Sequence, residues 1–140
     1  MKLVIARTIF LVIFIFSGCS TYTEIENALS QKPINPHNWQ KVGKEKENTL
    51  YVDIENIKID NGFVYYWELI DFKEAIYGAL SRISKFKVNC DDQEKANLDV
   101  ISYTGQMGKY IIINEGRYSG TDFFDASLSI TMKFACDYVK

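Results

Sequence analysis

The sequence predicts a β-rich single domain carried behind an export signal, and three observations predict it. The chain has 140 residues, enough for one domain. Between Thr49 and Ile113, short runs rich in Val, Ile, Tyr and Phe alternate with polar turn segments. Within that stretch, Asp60-Asn61-Gly62 separates two such runs, and Asn-Gly supplies the positive φ values that a tight hairpin needs. The composition, 47% hydrophobic and 24% charged, is that of a globular protein. A net charge of -2 and a pI of about 5.4 argue against nucleic acid as a partner held by a basic field.

The first residues read as a targeting segment. Lys2 and Arg7 precede an unbroken apolar run from Ile9 to Phe16. At about 1.5 Å per helical residue this run covers about 12 Å, too short to cross a bilayer. The small residues Ser17 and Gly18 then lead to Cys19, as in a secretion signal. Phe16-Ser17-Gly18-Cys19 resembles a bacterial lipobox, in which the cysteine is lipidated and becomes the first mature residue. The expected division is a signal peptide at 1–18, a lipidated N-terminus and tether at 19–38, and a domain at 39–140. Cleavage removes Lys2 and Arg7 and no acid, so the net charge moves from -2 to -4. Two or more acyl chains hold firmly where one binds marginally, so the membrane is one expected partner. Ser20, in place of an inner-membrane Asp signal, reads as an outer-membrane address.

With Cys19 lipidated, Cys90 and Cys136 remain, and an even pair in an exported chain reads as a disulfide. The chain entropy of the loop it closes is worth about 4 kcal/mol. A metal or redox role lacks support, since no C-x-x-C pair occurs and the sequence has one histidine. No cofactor and no metal site are expected.

The tether is polar and carries Pro33 and Pro36; Thr23 to Leu29 could form one helical turn with Thr23 and Glu26 as a capping box. Trp39 ends it. Lys41 to Asn48 reads as a strand end and a loop, and Thr49 to Ile54 as a short strand. Asn56 to Phe72 is the hairpin. Its second arm places Phe63, Tyr65, Trp67 and Leu69 on one face, and Val64, Tyr66, Ile70 and Phe72 on the other, interrupted by Glu68. Either both faces are covered or one carries an exposed aromatic patch. In the second case Tyr65, Tyr66 and Trp67 are the candidate partner-binding residues, for a second copy of the chain or for another protein.

Lys73 to Leu80 reads as a connection with room for a helical turn. Arg82 to Cys90 alternates, with Phe86, Val88 and Cys90 toward the core and Lys85 and Lys87 away from it. Asp91 to Lys95 is a turn, Leu98 to Thr104 and Tyr110 to Ile113 are strands, and Asn114 to Gly120 is a polar loop. The last segment fits two patterns. Leu128, Ile130, Met132, Phe134 and Cys136 alternate as in a strand, while Leu128, Met132, Ala135, Cys136 and Val139 form a helix stripe that Asp125 or Ser127 could cap.

Taken together, the marks from Trp39 onward resemble the surface-adhesin protein E family. They are Trp39-Gln40-Lys41-Val42, Leu50-Tyr51-Val52-Asp53, the pair Ile57 and Ile59, Tyr65-Tyr66-Trp67 with Asp71, Ser81 to Cys90, Tyr103 with Gly105 and Gly108, and Ser127 to Cys136. The resemblance covers about residues 39 to 138. Tyr118 and Phe123-Phe124-Asp125 stand where the family usually has Trp and Pro-Gly. The fold it implies is α+β: an antiparallel β-sheet of about six strands with a C-terminal helix packed on it and disulfide-linked to it. The function it implies is an adhesin for host extracellular-matrix or serum proteins.

The residues themselves show no catalytic constellation. His37 lies between Pro36 and Asn38 in the tether, a poor place for fixed geometry, and no phosphate loop or nucleophile elbow occurs. The chain is therefore read as a non-enzymatic outer-membrane lipoprotein with a small protein-binding domain. An accessory envelope lipoprotein without a host ligand is the alternative.

Overall fold

The computed structural model describes residues 37–140. Cys19, the signal peptide and the helical turn expected at 23–29 lie outside the described residues. Eight strands follow in chain order: β1 (Trp39–Glu45), β2 (Asn48–Asp53), β3 (Lys58–Asp60), β4 (Phe63–Ile76), β5 (Ala79–Asn89), β6 (Glu94–Tyr103), β7 (Ile112–Arg117) and β8 (Phe124–Asp125). One helix, α1 (Ile130–Tyr138), ends the domain. The strands form one antiparallel sheet in the order β1-β2-β4-β5-β6-β7, with β3 on β4 and β8 on β6. β3 lies beyond the end of β2 on the same side of β4, and β8 likewise continues the row of β7. Eight strands thus occupy the six columns that the resemblance implies.

Local chemistry sets the breaks. The Asp53 carboxylate accepts from the Glu55 N–H at 3.3 Å and caps a short 3-10 turn, Ile54–Asn56, which separates β2 from β3. Asn61 and Gly62, with φ of 49° and 80°, close the β3–β4 hairpin between paired Asp60 and Phe63. The β4–β5 turn has the same form at Tyr77 and Gly78, with φ of 48° and 84°. This corrects the connection expected over Lys73 to Leu80: β4 runs on to Ile76. A tyrosine in the left-handed region is a weak sequence signal for such a turn. The loop expected over Asn114 to Gly120 is also corrected. β7 continues to Arg117 because β6 pairs with it, Asp99 opposite Arg117 and Ser102 opposite Asn114, while its polar residues face solvent at the sheet edge. The strand end expected at Lys41 is instead a bulge in β1 between Lys41 and Gly43. Gly43 lets α1 pack closely there, since a Cβ would stand 3.2 Å from the Ile130 side chain.

The core lies between one face of the sheet and α1. Val52, Val64, Tyr66, Phe86 and Val88 from the sheet meet Ala126, Met132, Ala135 and Cys136. Full burial of one large apolar side chain contributes about 1.5–3 kcal/mol. Met132, Ala135 and Cys136 repeat at helical spacing, which decides the ambiguous last segment for a helix. Its N-cap is Ser129, whose hydroxyl accepts from the Met132 N–H at 3.3 Å; Asp125 and Ser127 do not cap it. Asp125 instead accepts from the Ser127 N–H at 2.8 Å, closing the turn that leads in. Cys90, just past the end of β5, is disulfide-bonded to Cys136 in α1 with the two Cα atoms 5.9 Å apart.

Candidate binding surface

Among the described residues no α-helix packs on the other face of the sheet. Register aligns its side chains in rungs. Lys58, Tyr65 and Lys87 lie opposite one another across β3, β4 and β5, and Trp67 lies opposite Lys85. Rings and ammonium groups interleave along these rungs. Lys85 Nζ sits 5.4 Å from the Trp67 ring centre. Lys87 Nζ sits 4.1 Å from that of Phe63 and 5.5 Å from that of Phe123, which packs on Phe63. A groove of about 230 Å³ is lined by Asn56, Lys58, Asp60, Tyr65, Trp67 and Lys85.

One end of this face is fastened by the chain entering the domain. His37 stacks on Trp39 at 4.7 Å and meets the edge of Trp67 at 5.5 Å. Its Nδ1 contacts Asp53 Oδ2 at 2.5 Å. Asp53 is fully buried and also accepts from the Asn38 N–H at 3.1 Å and the Asn56 amide at 2.7 Å. A buried carboxylate is tolerable when its oxygens are filled in this way. The expectation that His37 lacks fixed geometry is therefore corrected. Its anchor, Asp53, stands 16 positions away, which no local pattern reveals. The alternation of His37 with Trp39 along an extended chain was the available signal.

The far end is covered by a second 3-10 turn, Gln106–Gly108. Asp71 accepts from the Met107 N–H at 2.7 Å, and Ser81 Oγ donates to the Gly105 carbonyl at 2.5 Å while accepting from the Gly108 N–H at 3.0 Å. Burial pushes the Asp71 carboxyl above its usual value, against the Met107 hydrogen bond and the Lys109 charge. Between these two covers the Tyr65 and Trp67 side chains are half-buried and reach the groove.

Tyr66 does not join them. Its side chain is 0% exposed beneath α1, which corrects its place among the candidate binding residues. The strand's two-residue period sends it to the opposite face from its neighbours. There its hydroxyl hydrogen-bonds Thr131 at 3.1 Å. Thr131 donates in turn to Glu68 and meets Ser129 Oγ at 3.1 Å. Lys95 Nζ closes the set, 3.3 Å from Ser129 Oγ and 3.7 Å from Glu68. Burial and the Glu68 charge hold the Tyr66 hydroxyl well above its ordinary pKa. These groups satisfy one another, so the shallow cavity of about 340 Å³ beside them has a floor already engaged in hydrogen bonds.

Among the described residues no three His, Cys, Asp or Glu side chains are grouped to hold a metal ion. No helix among them is long and apolar enough to cross a membrane. The layout is that of a binding module: a stapled sheet with one packed face and one aromatic, lysine-bearing face. The family profile of surface-adhesin protein E matches residues 39–137, and the chain belongs to that family. It is thus a member of a family of surface adhesins. No curated protein sequence matches it. Among solved structures it is similar to protein E from non-typeable Haemophilus influenzae, at 15% identity over 75% of this chain and 77% of that one, with a TM-score of 0.49. A second crystal form of Haemophilus influenzae protein E aligns at 18% identity over 65% of this chain and 83% of that one, with a TM-score of 0.48.

Proposed function

We propose that this protein is an outer-membrane lipoprotein, anchored through Cys19, whose domain binds host matrix or serum proteins through the sheet face opposite α1. The observation that carries the reading is the split within Tyr65-Tyr66-Trp67. Tyr66 is fully buried, while Tyr65 and Trp67 line an open groove on the other face. Aromatic side chains bury large areas with few rotors to freeze, which suits them as interface anchors. Membership of a surface-adhesin family supports the same reading, and the lipobox-like Phe16-Ser17-Gly18-Cys19 supports the anchor.

The test is solid-phase binding of the purified protein to a panel of purified extracellular-matrix and serum proteins. The wild type is expected to retain at least one of them, and Trp67→Ala to lose it while melting as a folded domain. Retention that survives Trp67→Ala unchanged would remove this face as the binding surface. For the anchor, Cys19→Ala is expected to abolish palmitate labelling and release the protein from the membrane fraction. Labelling that persists in that variant refutes lipidation at Cys19.

A further inference from the structure

We propose that the occupant of the groove at Tyr65 and Trp67 is a short acidic segment of a partner polypeptide, read by Lys58, Lys85 and Lys87. This rests on the reading of the open face as a binding surface and adds the chemistry of the ligand. Three observations lead to it. The first is placement. Lys85 and Lys87 are two residues apart on β5, about 7 Å along the strand, and Lys58 and Lys87 flank Tyr65 across two strand spacings, about 10 Å. Three lysines therefore lie on the two adjacent rungs that carry Tyr65 and Trp67.

The second observation is charge. The protein as a whole carries a net charge of -2. Its ion pairs among the described residues use His37, Lys73, Lys95, Arg117 and Lys140, and none uses Lys58, Lys85 or Lys87. Lysines on an acidic protein that make no ion pair among the described residues attract acidic ligands and steer their approach. The third is order. Lys85 rests on Trp67, and Lys87 rests between Phe63 and Phe123, so two of the ammonium groups are held before any ligand arrives. Side chains already held lose less entropy on binding.

The groove also sets the length of the ligand. The Asp60 carboxylate and the Asn56 amide stand in its lining, and Asp99 lies beyond Lys85 in the next strand. A long polyanion such as a sulfated polysaccharide would run from the lysines onto these acids. One or two glutamates or aspartates, beside an apolar or aromatic residue stacked on Tyr65, fit without that repulsion. Asn56 and Asp60 remain to hydrogen-bond the backbone N–H groups of an extended peptide.

The experiment measures fluorescence anisotropy of a labelled Gly-Glu-Glu-Trp-Gly peptide with the purified full-length protein, against Gly-Lys-Lys-Trp-Gly and heparin fragments. The acidic peptide is expected to bind and the basic one not. Binding should weaken steeply between about 0.05 and 0.5 M salt as screening shortens the reach of the lysines. Lys85→Glu should weaken it about tenfold or more. Lys58→Glu is the second variant: Lys58 is exposed and rests on no ring, so its reversal leaves the packing intact, and it too should weaken binding. Lys133→Glu, on the exposed side of α1, should leave binding unchanged.

Absence of binding by the acidic peptide at low salt overturns the proposal, as does an equal loss in Lys133→Glu. Heparin fragments that bind while the acidic peptide fails to displace them assign the face to a glycan instead and overturn it too. A matrix or serum protein that is lost by Trp67→Ala but indifferent to salt, Lys58→Glu and Lys85→Glu overturns the acidic ligand alone. The open face then still stands as the binding surface.

Discussion

From Phe63 to Glu68 the two faces of β4 are built from the same kinds of residue and have opposite fates, whereas Leu69, next on the open face, is fully buried. Toward α1, Val64, Tyr66 and Glu68 are buried, and the polar atoms among them are matched by Thr131, Ser129 and Lys95. Away from α1, Tyr65 and Trp67 keep one side in solvent and lie beside Lys58, Lys85 and Lys87, which make no ion pair among the described residues. Aromatic content alone does not separate core from contact surface. What separates them is whether a second layer supplies partners for the polar tips.

The contrast can be broken most severely from the packed side. Tyr66→Ala removes a ring at the centre of the core and is expected to cost about 3–5 kcal/mol, read by chemical denaturation. Loss of the disulfide through Cys136→Ala is expected to cost about 2–5 kcal/mol in the same measurement. Trp67→Ala should fall well below either in stability, because its ring is already half in water, while its effect on partner retention is large. If Trp67→Ala destabilises as much as Tyr66→Ala, the two faces are not different in kind. Tyr66→Phe should cost about 1 kcal/mol, the worth of the hydrogen bond to Thr131.

The smallest effect concerns Asp71, at the end of the open face where the 3-10 turn covers it. Its carboxyl is raised in the folded protein, chiefly by burial. The folded state therefore favours the protonated form more than the unfolded chain does. Stability from this group rises as pH falls through the raised folded value toward the ordinary carboxylate range near 3.8, and levels off below it. Asp71→Asn keeps an acceptor for the Met107 N–H and removes the charge. It should be as stable as the wild type or slightly more so at neutral pH, and should lose this component of the pH dependence in melting curves.

Much of this division was legible in the residues and some was not. The period of two in Phe63 to Phe72 places Tyr65 with Trp67 and Tyr66 opposite, and the Asn61-Gly62 turn and inward Phe86 and Val88 follow from equally local rules. Which face of β4 is packed does not follow, because that depends on an element more than 50 residues later. The last segment was undecidable from pattern alone, since alternation and helical spacing share Leu128, Met132 and Cys136. The structure resolves it with Leu128 89% exposed and Met132 and Cys136 buried. His37 escaped because its partners, Asp53 and Trp67, come from two different strands. The turn expected over Asp91 to Lys95 is present but two residues shorter, since Glu94 and Lys95 already pair with Asn89 and Val88.

The bond between Cys90 and Cys136 also decides what a protease can do to this molecule. Exposed positions that invite cleavage, Lys109 with Tyr110 and Ile111 and then Arg117 with Tyr118, all lie between the two cysteines. A trypsin-like cut after Lys109 or Arg117 opens the backbone without dividing the protein. The severed C-terminal piece stays covalently joined through α1, and a non-reducing gel shows one band where a reducing gel shows two. A domain nicked in this way keeps its helix covalently fastened to the sheet on which it packs.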